Sequence, residues 1–364
     1  MGFSCGMVGL PNVGKSTIYR ALTSDDVTIE PYAFSTITPN IGIAQVPDDR
    51  LDSIARIMTP EKIVNTTLNF VDVAGLVEGA ASGEGMGNQF LSHIRKVNAI
   101  AHVVRCFEDS NVPHVSQELN PIQDIEIVEL ELILKDLETV NKRIEKNKKV
   151  SKAGDKEAAE EILLLETVRD DLDEGRPVRD IQFDQEEQTM IDQLFFLSAK
   201  PQLFVANIGE SNIGDNDYAL FKQVSKAAED RNSPVISLCS KLEAELTELR
   251  PDERAVFAEE LGIVDSGLEN LVTIGYEMLN LITFFTTRSN EVKAWTVRDG
   301  TSASDAAGKI HTDIEKGFIK ADVIKFEDLM EFESEAAVRE KGLVMTAGRD
   351  YPVEDGDIIH FKFR

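Results

Sequence analysis

Apolar positions fall along this chain in three regimes, and each predicts a different architecture. Over residues 3–8, 43–46, 68–71 and 100–107 they form short runs that read as buried strands, with amphipathic helices over 16–22 and 88–97. The same pattern resumes at 203–206 and 235–238. Strands alternating with helices predict an α/β domain.

The gap between residues 107 and 203 is too long for one strand-to-strand crossover, so something is inserted there. Leu130, Ile133, Leu137, Val140 and Ile144 step by three and four, the seam of a coiled coil, with Glu129, Glu131, Lys135, Asp136, Glu138, Lys142 and Arg143 expected to face elsewhere. The pattern lapses over 151–154, and Ala158, Ile162, Leu165, Val168 and Leu172 supply a return seam. An antiparallel helical hairpin follows, with a third short helix over 185–196 leading back to the core. From residue 281 the pattern changes again, to short alternating strands at 293–297 and 359–363 around one helix over 306–313, with an Asp355-Gly356-Asp357 turn before the last strand. A small α+β module of the β-grasp kind is expected. The boundaries are residues 1–123 and 200–280 for a nucleotide-binding domain, 124–199 for the helical insert and 281–364 for the last module.

The nucleotide assignment rests on Gly9-Leu10-Pro11-Asn12-Val13-Gly14-Lys15-Ser16-Thr17, which joins the first strand to the first helix and fits GxxxxGK[ST]. The glycines let consecutive N–H groups and the helix amino end converge on phosphate oxygens, Lys15 adds a point charge toward the β- and γ-phosphates, and the Ser16 hydroxyl is placed to ligate Mg²⁺. Thr36, in a polar and aromatic loop, would complete the metal shell only when a γ-phosphate is present. Asp72-Val73-Ala74-Gly75 forms a DxxG at a strand end, where Asp72 would hold the metal through water and Gly75 would offer its N–H to the γ-phosphate. The fold is therefore an α/β P-loop NTPase of the Ras-like G-domain type carrying the two additions.

Two positions depart from the usual small GTPase. Leu76 stands where a glutamine commonly orients the attacking water, so intrinsic hydrolysis is expected to be slow or another group positions the nucleophile. His114, in the loop over 109–118, is a candidate for that role. Asn207-Ile208-Gly209-Glu210 occupies the place of NKxD: Ile208 replaces the lysine that covers the base, and Glu210 is one methylene longer than the aspartate that clasps guanine. Adenine offers no matching donor pair, so ATP is the expected substrate, while Ser240-Lys241 in the base-closing loop keeps GTP open. A GTPase with the same machinery, and an adaptor that uses nucleotide only to fix its shape, are the alternatives.

Composition narrows the partners. Among 364 residues the formal net charge is −27, which argues against a general nucleic-acid coat and against DNA; an RNA contact needs a local basic patch. The hairpin tip supplies one in Lys142, Arg143, Lys146, Lys148, Lys149 and Lys152, which is either a solvated helix end or an RNA or ribosomal contact. Cys5, Cys106 and Cys239 lie in separate apolar contexts and read as reduced core residues, which fits a cytoplasmic protein; no run approaches a membrane span. A monomer is favoured.

With these motifs assembled, the sequence resembles the YchF subfamily of Obg-related P-loop proteins, relatives of Obg-like ATPase, over essentially its whole length. The stretches that carry the likeness are GLPNVGKST from Gly9, FVDVAGLVEGA from Phe70, GNQFLSHIR from Gly87, HVVRCFED from His102, GYEMLNL from Gly275 and AAGKIHTDIEKGF from Ala306. The resemblance implies a coiled-coil arm, a carboxy-terminal TGS domain, Mg²⁺-dependent ATP hydrolysis and ribosome binding. It also implies phosphate contacts from Asn12 through Thr17, metal contacts from Ser16 and Thr36, base contacts near Asn207 and Ile208, and roles for Leu76 and His114 in the water's surroundings.

Overall fold

The structure is a computed structural model that describes residues 2–23, 40–73, 86–113, 119–152, 154–215, 217–260, 266–288 and 290–364. Apart from the first two residues, its contacts divide it into one unit of residues 3–43 and 69–271 and a second of 44–68 and 272–364. In chain order the elements up to the insert are β1 (Ser4–Val8), α1 (Lys15–Leu22), β2 (Asn40–Gln45), α2 (Asp49–Met58), β3 (Lys62–Val64), β4 (Thr67–Asp72), α3 (Met86–Lys96) and β5 (Ala99–Cys106). Then come α4 (Pro121–Ser151), α5 (Lys156–Asp173), α6 (Gln185–Asp192), β6 (Gln202–Ile208), α7 (Ala219–Glu229), β7 (Val235–Leu238), α8 (Ser240–Thr247), α9 (Pro251–Glu260) and α10 (Gly267–Met278).

The first unit is built on a sheet of order β2-β4-β1-β5-β6-β7. β1 runs parallel to β4 and β5, β5 to β6, and β6 to β7. Every residue of β5 and β6 is buried, as central strands of a parallel sheet must be when both faces are covered. Val104, Phe204, Ile125, Val224 and Leu242 share one apolar cluster, so α4, α7 and α8 contribute to the same core as the strands. The register pairs Val8 with His102, Cys106 with Ile208 and Asn207 with Leu238, which brings the carboxyl ends of four strands to one edge. Ligands of open parallel sheets bind beyond such an edge, so the connections after β1, β5, β6 and β7 are the place to look.

α4 starts with Pro121 at its first turn and with Asn120 accepting a hydrogen bond from the Gln123 N–H, a well-formed amino end. Its 31 residues span about 46 Å at the usual rise. The helix serves two cores. Ile125 joins the sheet cluster, whereas Ile133, Val140 and Ile144 pack with Leu165, Val168 and Leu172 of α5 and with Ile191 of α6. The seam expected from spacing needs correction at one end: Leu130 is 53% exposed, because α4 there still faces the nucleotide domain with its Ile125 and Val128 side. Two residues expected on the outside are also inside. Glu131 and Asp136 are buried, and Asp136 accepts hydrogen bonds from the Leu197 N–H at 2.9 Å, the Ser198 N–H at 2.7 Å and the Ser198 hydroxyl at 2.7 Å, anchoring the chain where it returns to β6.

The second unit carries β8 (Leu281–Arg288), β9 (Glu291–Arg298), α11 (Ala303–Ile310), α12 (Thr312–Lys316), β10 (Phe318–Ile324), α13 (Phe326–Phe332), α14 (Glu335–Glu340), β11 (Met345–Ala347) and β12 (Ile358–Phe363). Its sheet has the order β11-β10-β12-β8-β9-β3. β12 lies parallel to β8, while β8 with β9 and β10 with β12 are antiparallel. The small face of α11, Ala303, Ala306 and Ala307, lets the helix approach Phe284, Val297 and Phe361 closely. Two features differ from the sequence expectation. The single helix over 306–313 is broken at His311, whose backbone is extended and whose ring nitrogen accepts from the Asp313 N–H to start α12; α13 and α14 add further helix. Residues 44–68 group with this unit, because β3 pairs with β9 from Lys62↔Glu291 to Val64↔Lys293 and α2 places Leu51 and Ile54 against Phe285 and Ile324. Gly356, at φ +90°, makes the turn before β12 in a conformation that only glycine adopts cheaply.

Candidate functional site

The phosphate-type loop leaves β1 at Gly9 and enters α1 through Gly14, which has φ +100° and a position where a Cβ would collide with the Asn207 side-chain nitrogen. Gly14 caps α1 without any side-chain hydrogen bond, so no capping side chain covers the helix's amino end, where an anion is favoured. Lys15 is buried, and its Nζ donates to the carbonyls of Gly9 at 3.0 Å and Leu10 at 2.6 Å. Burial brings its pKa down to about 8, and the charge of Asp72 opposes that fall. Val13 is buried, Asn12 adopts φ +61°, and Asn12, Gly14, Lys15, Ser16 and Thr17 all border one cavity of about 860 Å³.

Asp72 ends β4 and accepts a hydrogen bond through Oδ2 from the Ser16 hydroxyl at 3.1 Å. Its Oδ1 is buried and has no partner among the described residues. A hydroxyl and a carboxylate with one oxygen to spare suit Mg²⁺, which takes one or two protein oxygens and fills the rest of its octahedron with phosphate and water. Among the described residues no group of three His, Cys, Asp or Glu side chains is gathered for a metal. Thr36, Gly75, Leu76 and His114 lie outside the described residues.

The far side of the cavity is formed by the ends of β6 and β7. Asn207 is committed on every side: its amide nitrogen donates to the Val13 carbonyl at 2.8 Å and the Ser240 hydroxyl at 3.0 Å, and its oxygen accepts from the Ser240 N–H at 2.9 Å. It ties the phosphate loop to the loop after β7. Ile208 is buried in the sheet's apolar cluster and also borders the cavity. Glu210 faces Lys241 at 2.7 Å, and this carboxylate holds the Lys241 ammonium above its ordinary pKa. Spacing missed the fourth wall, Phe107, Glu108, Asp109 and Val112, although these residues directly follow β5, the strand beside β1. All three cysteines are free and buried, and burial pushes the thiols of Cys5 and Cys106 up to about 12. No described helix is long and apolar enough to cross a membrane.

Residues 4–149 match the family described as 50S ribosome-binding GTPase, and residues 281–364 match the family YchF-GTPase_C, described as a protein of unknown function. The chain is 45% identical to the ribosome-binding ATPase YchF of Bacillus subtilis over 364 residues, all of both chains. It is 46% identical to the protein of the same name from Escherichia coli O157:H7 over 363 residues, which is 100% of this chain and 99% of that one. A solved structure of the Schizosaccharomyces pombe YchF GTPase superposes with a TM-score of 0.88 at 36% identity, covering 99% of this chain and 98% of that one.

Proposed function

Since this chain belongs to the YchF family, we propose that it is a ribosome-associated P-loop ATPase that hydrolyses the β–γ phosphoanhydride bond of ATP slowly and uses the bound nucleotide as a switch in translation. The relatives are named both ATPase and GTPase, and the observation that favours ATP is the occupied Glu210. Its carboxylate pairs with Lys241 and is one methylene longer than the aspartate of a guanine site, and Ile208 stands where a lysine would cover a guanine, so the preference for guanine is weakened.

In this reading Lys15 exchanges the Gly9 and Leu10 carbonyls for β- and γ-phosphate oxygens, while the amino end of α1 receives the phosphate chain. Ser16 and Thr36, with Asp72 through water, would hold Mg²⁺, which would neutralise charge on the phosphate oxygens. Gly75 donates its N–H to the γ-phosphate, Leu76 leaves no hydrogen-bonding group at the usual place, and His114 orients the water. The paired helices α4 and α5 serve as a coiled-coil arm, residues 281–364 as a TGS domain of β-grasp type, and the arm's basic tip with that domain as the RNA-facing surfaces of a cytoplasmic protein. We place the family itself among Obg-related P-loop proteins.

Titrating ATP and GTP into the purified protein, followed by single-turnover phosphate release with and without ribosomes, tests it. We expect tighter ATP binding and slow release that vanishes in Lys15→Ala. A clear GTP preference overturns the base assignment, and no release even with ribosomes overturns the hydrolase in favour of a nucleotide-fixed adaptor.

A further inference from the structure

Arg105 lies near the end of β5, is only 4% exposed, and has no place in the functional reading above. Its guanidinium is spread over a single loop. Nε donates to the Phe107 carbonyl at 3.1 Å, Nη2 to the Asp109 carbonyl at 3.4 Å and Nη1 to the Pro113 carbonyl at 3.5 Å, and the group sits 4.5 Å from the centre of the Phe107 ring. A rigid planar fork holds its acceptors in fixed directions within one plane, which the freely rotating ammonium of a lysine does not. The same Pro113 carbonyl accepts from the side chain of Asn12 at 3.1 Å, so one oxygen joins the phosphate loop to the loop that Arg105 organises. Both loops border the cavity, through Asn12, Gly14 and Lys15 on one side and Phe107, Asp109 and Val112 on the other.

We propose that Arg105 is a positioning residue for nucleotide binding: by holding the wall over 107–113 in one shape and presenting the Pro113 carbonyl to Asn12, it sets the width of the cavity that receives the nucleoside triphosphate. The inference rests on the proposed nucleotide site. It predicts an effect on binding more than on the chemical step, because Arg105 donates to the wall's backbone and leaves the Lys15 and Ser16 groups alone.

Arg105→Lys keeps the charge and loses the fork. In this variant KM for Mg-ATP, and the dissociation constant of a fluorescent ATP analogue, should rise about tenfold while kcat falls less than threefold; Arg105→Ala should do more. Amide exchange at Asn111 and Val112 should accelerate in both variants without nucleotide. Asn12→Ala should also weaken binding, and the double variant should lose less than the product of the two single losses, since both donors act through one carbonyl. Wild-type affinity and wild-type exchange in folded Arg105→Lys overturn the inference alone, as do losses that simply multiply. A wild-type chain that binds neither ATP nor GTP overturns the functional reading and this inference with it.

Discussion

At the scale of single residues, Asn207 separates what a motif says from what its side chain does. Its position at the end of a buried strand marks it for the base pocket, yet both its amide donors and one lone pair of its oxygen go to Val13 and Ser240. An Asn207→Ala change leaves the Val13 carbonyl and the Ser240 N–H buried and unpaired, at about 1–3 kcal/mol for such a group. We expect the affinities for ATP and GTP to fall together, by about 10- to 100-fold, with their ratio unchanged. Equilibrium binding of both nucleotides to the variant checks this, and a selective loss of one of them would show the amide reading the base instead. The phosphate loop was legible because its chemistry is local: glycine freedom, a lysine and a hydroxyl follow in one short stretch. The Asn207 clasp was not, because it joins strand ends that only the sheet register brings together.

At the scale of elements, periodicity located α4 and α5 and most of the seam between them. It erred where one helix serves two cores, since a spacing rule assumes a single partner and Leu130 sits at the changeover. Charged residues on a long helix are expected outside, and Asp136 lies inside because three donors from the returning chain satisfy it. Burial raises its carboxyl to about 6, against the lowering effect of those same donors. Asp136→Ala would leave the Leu197 and Ser198 N–H groups without an acceptor and free the segment between α6 and β6. Amide exchange at Leu197 and Ser198 should then quicken about 100-fold, from the loss of about 3 kcal/mol of local order, while exchange in β5 stays slow. Unchanged protection at these two amides would mean that packing of Phe196 and Leu197 holds the segment by itself. β3 was unreadable for a related reason, its three residues acquiring strand character only beside β9.

At the scale of the whole molecule, a net charge of −27 sets the terms on which any RNA contact is made. Bulk repulsion must be overcome by a few cations that are free to leave their own carboxylates. The tip of the helical pair is less uniform than its sequence. Lys142 is paired with Glu138, Arg143 with Glu161 and Lys148 with Glu166, whereas Lys146, Lys149 and Lys152 make no ion pair among the described residues. Phosphate contact by the first group costs an existing pair; by the second it costs hydration and, for Lys146, its longer-range attraction to Glu161. Charge reversal should therefore discriminate within the tip. The triple change Lys146→Glu, Lys149→Glu and Lys152→Glu is expected to abolish ribosome co-sedimentation at moderate salt, and Lys142→Glu alone to weaken it little. Each phosphate contact contributes about 0.7 to 0.9 to the slope of log affinity against log salt, so removing three should flatten the wild-type dependence by about two units. If the triple variant pellets like the wild type at every salt concentration, the tip is a solvated helix end, and the ribosomal surface lies elsewhere on the chain.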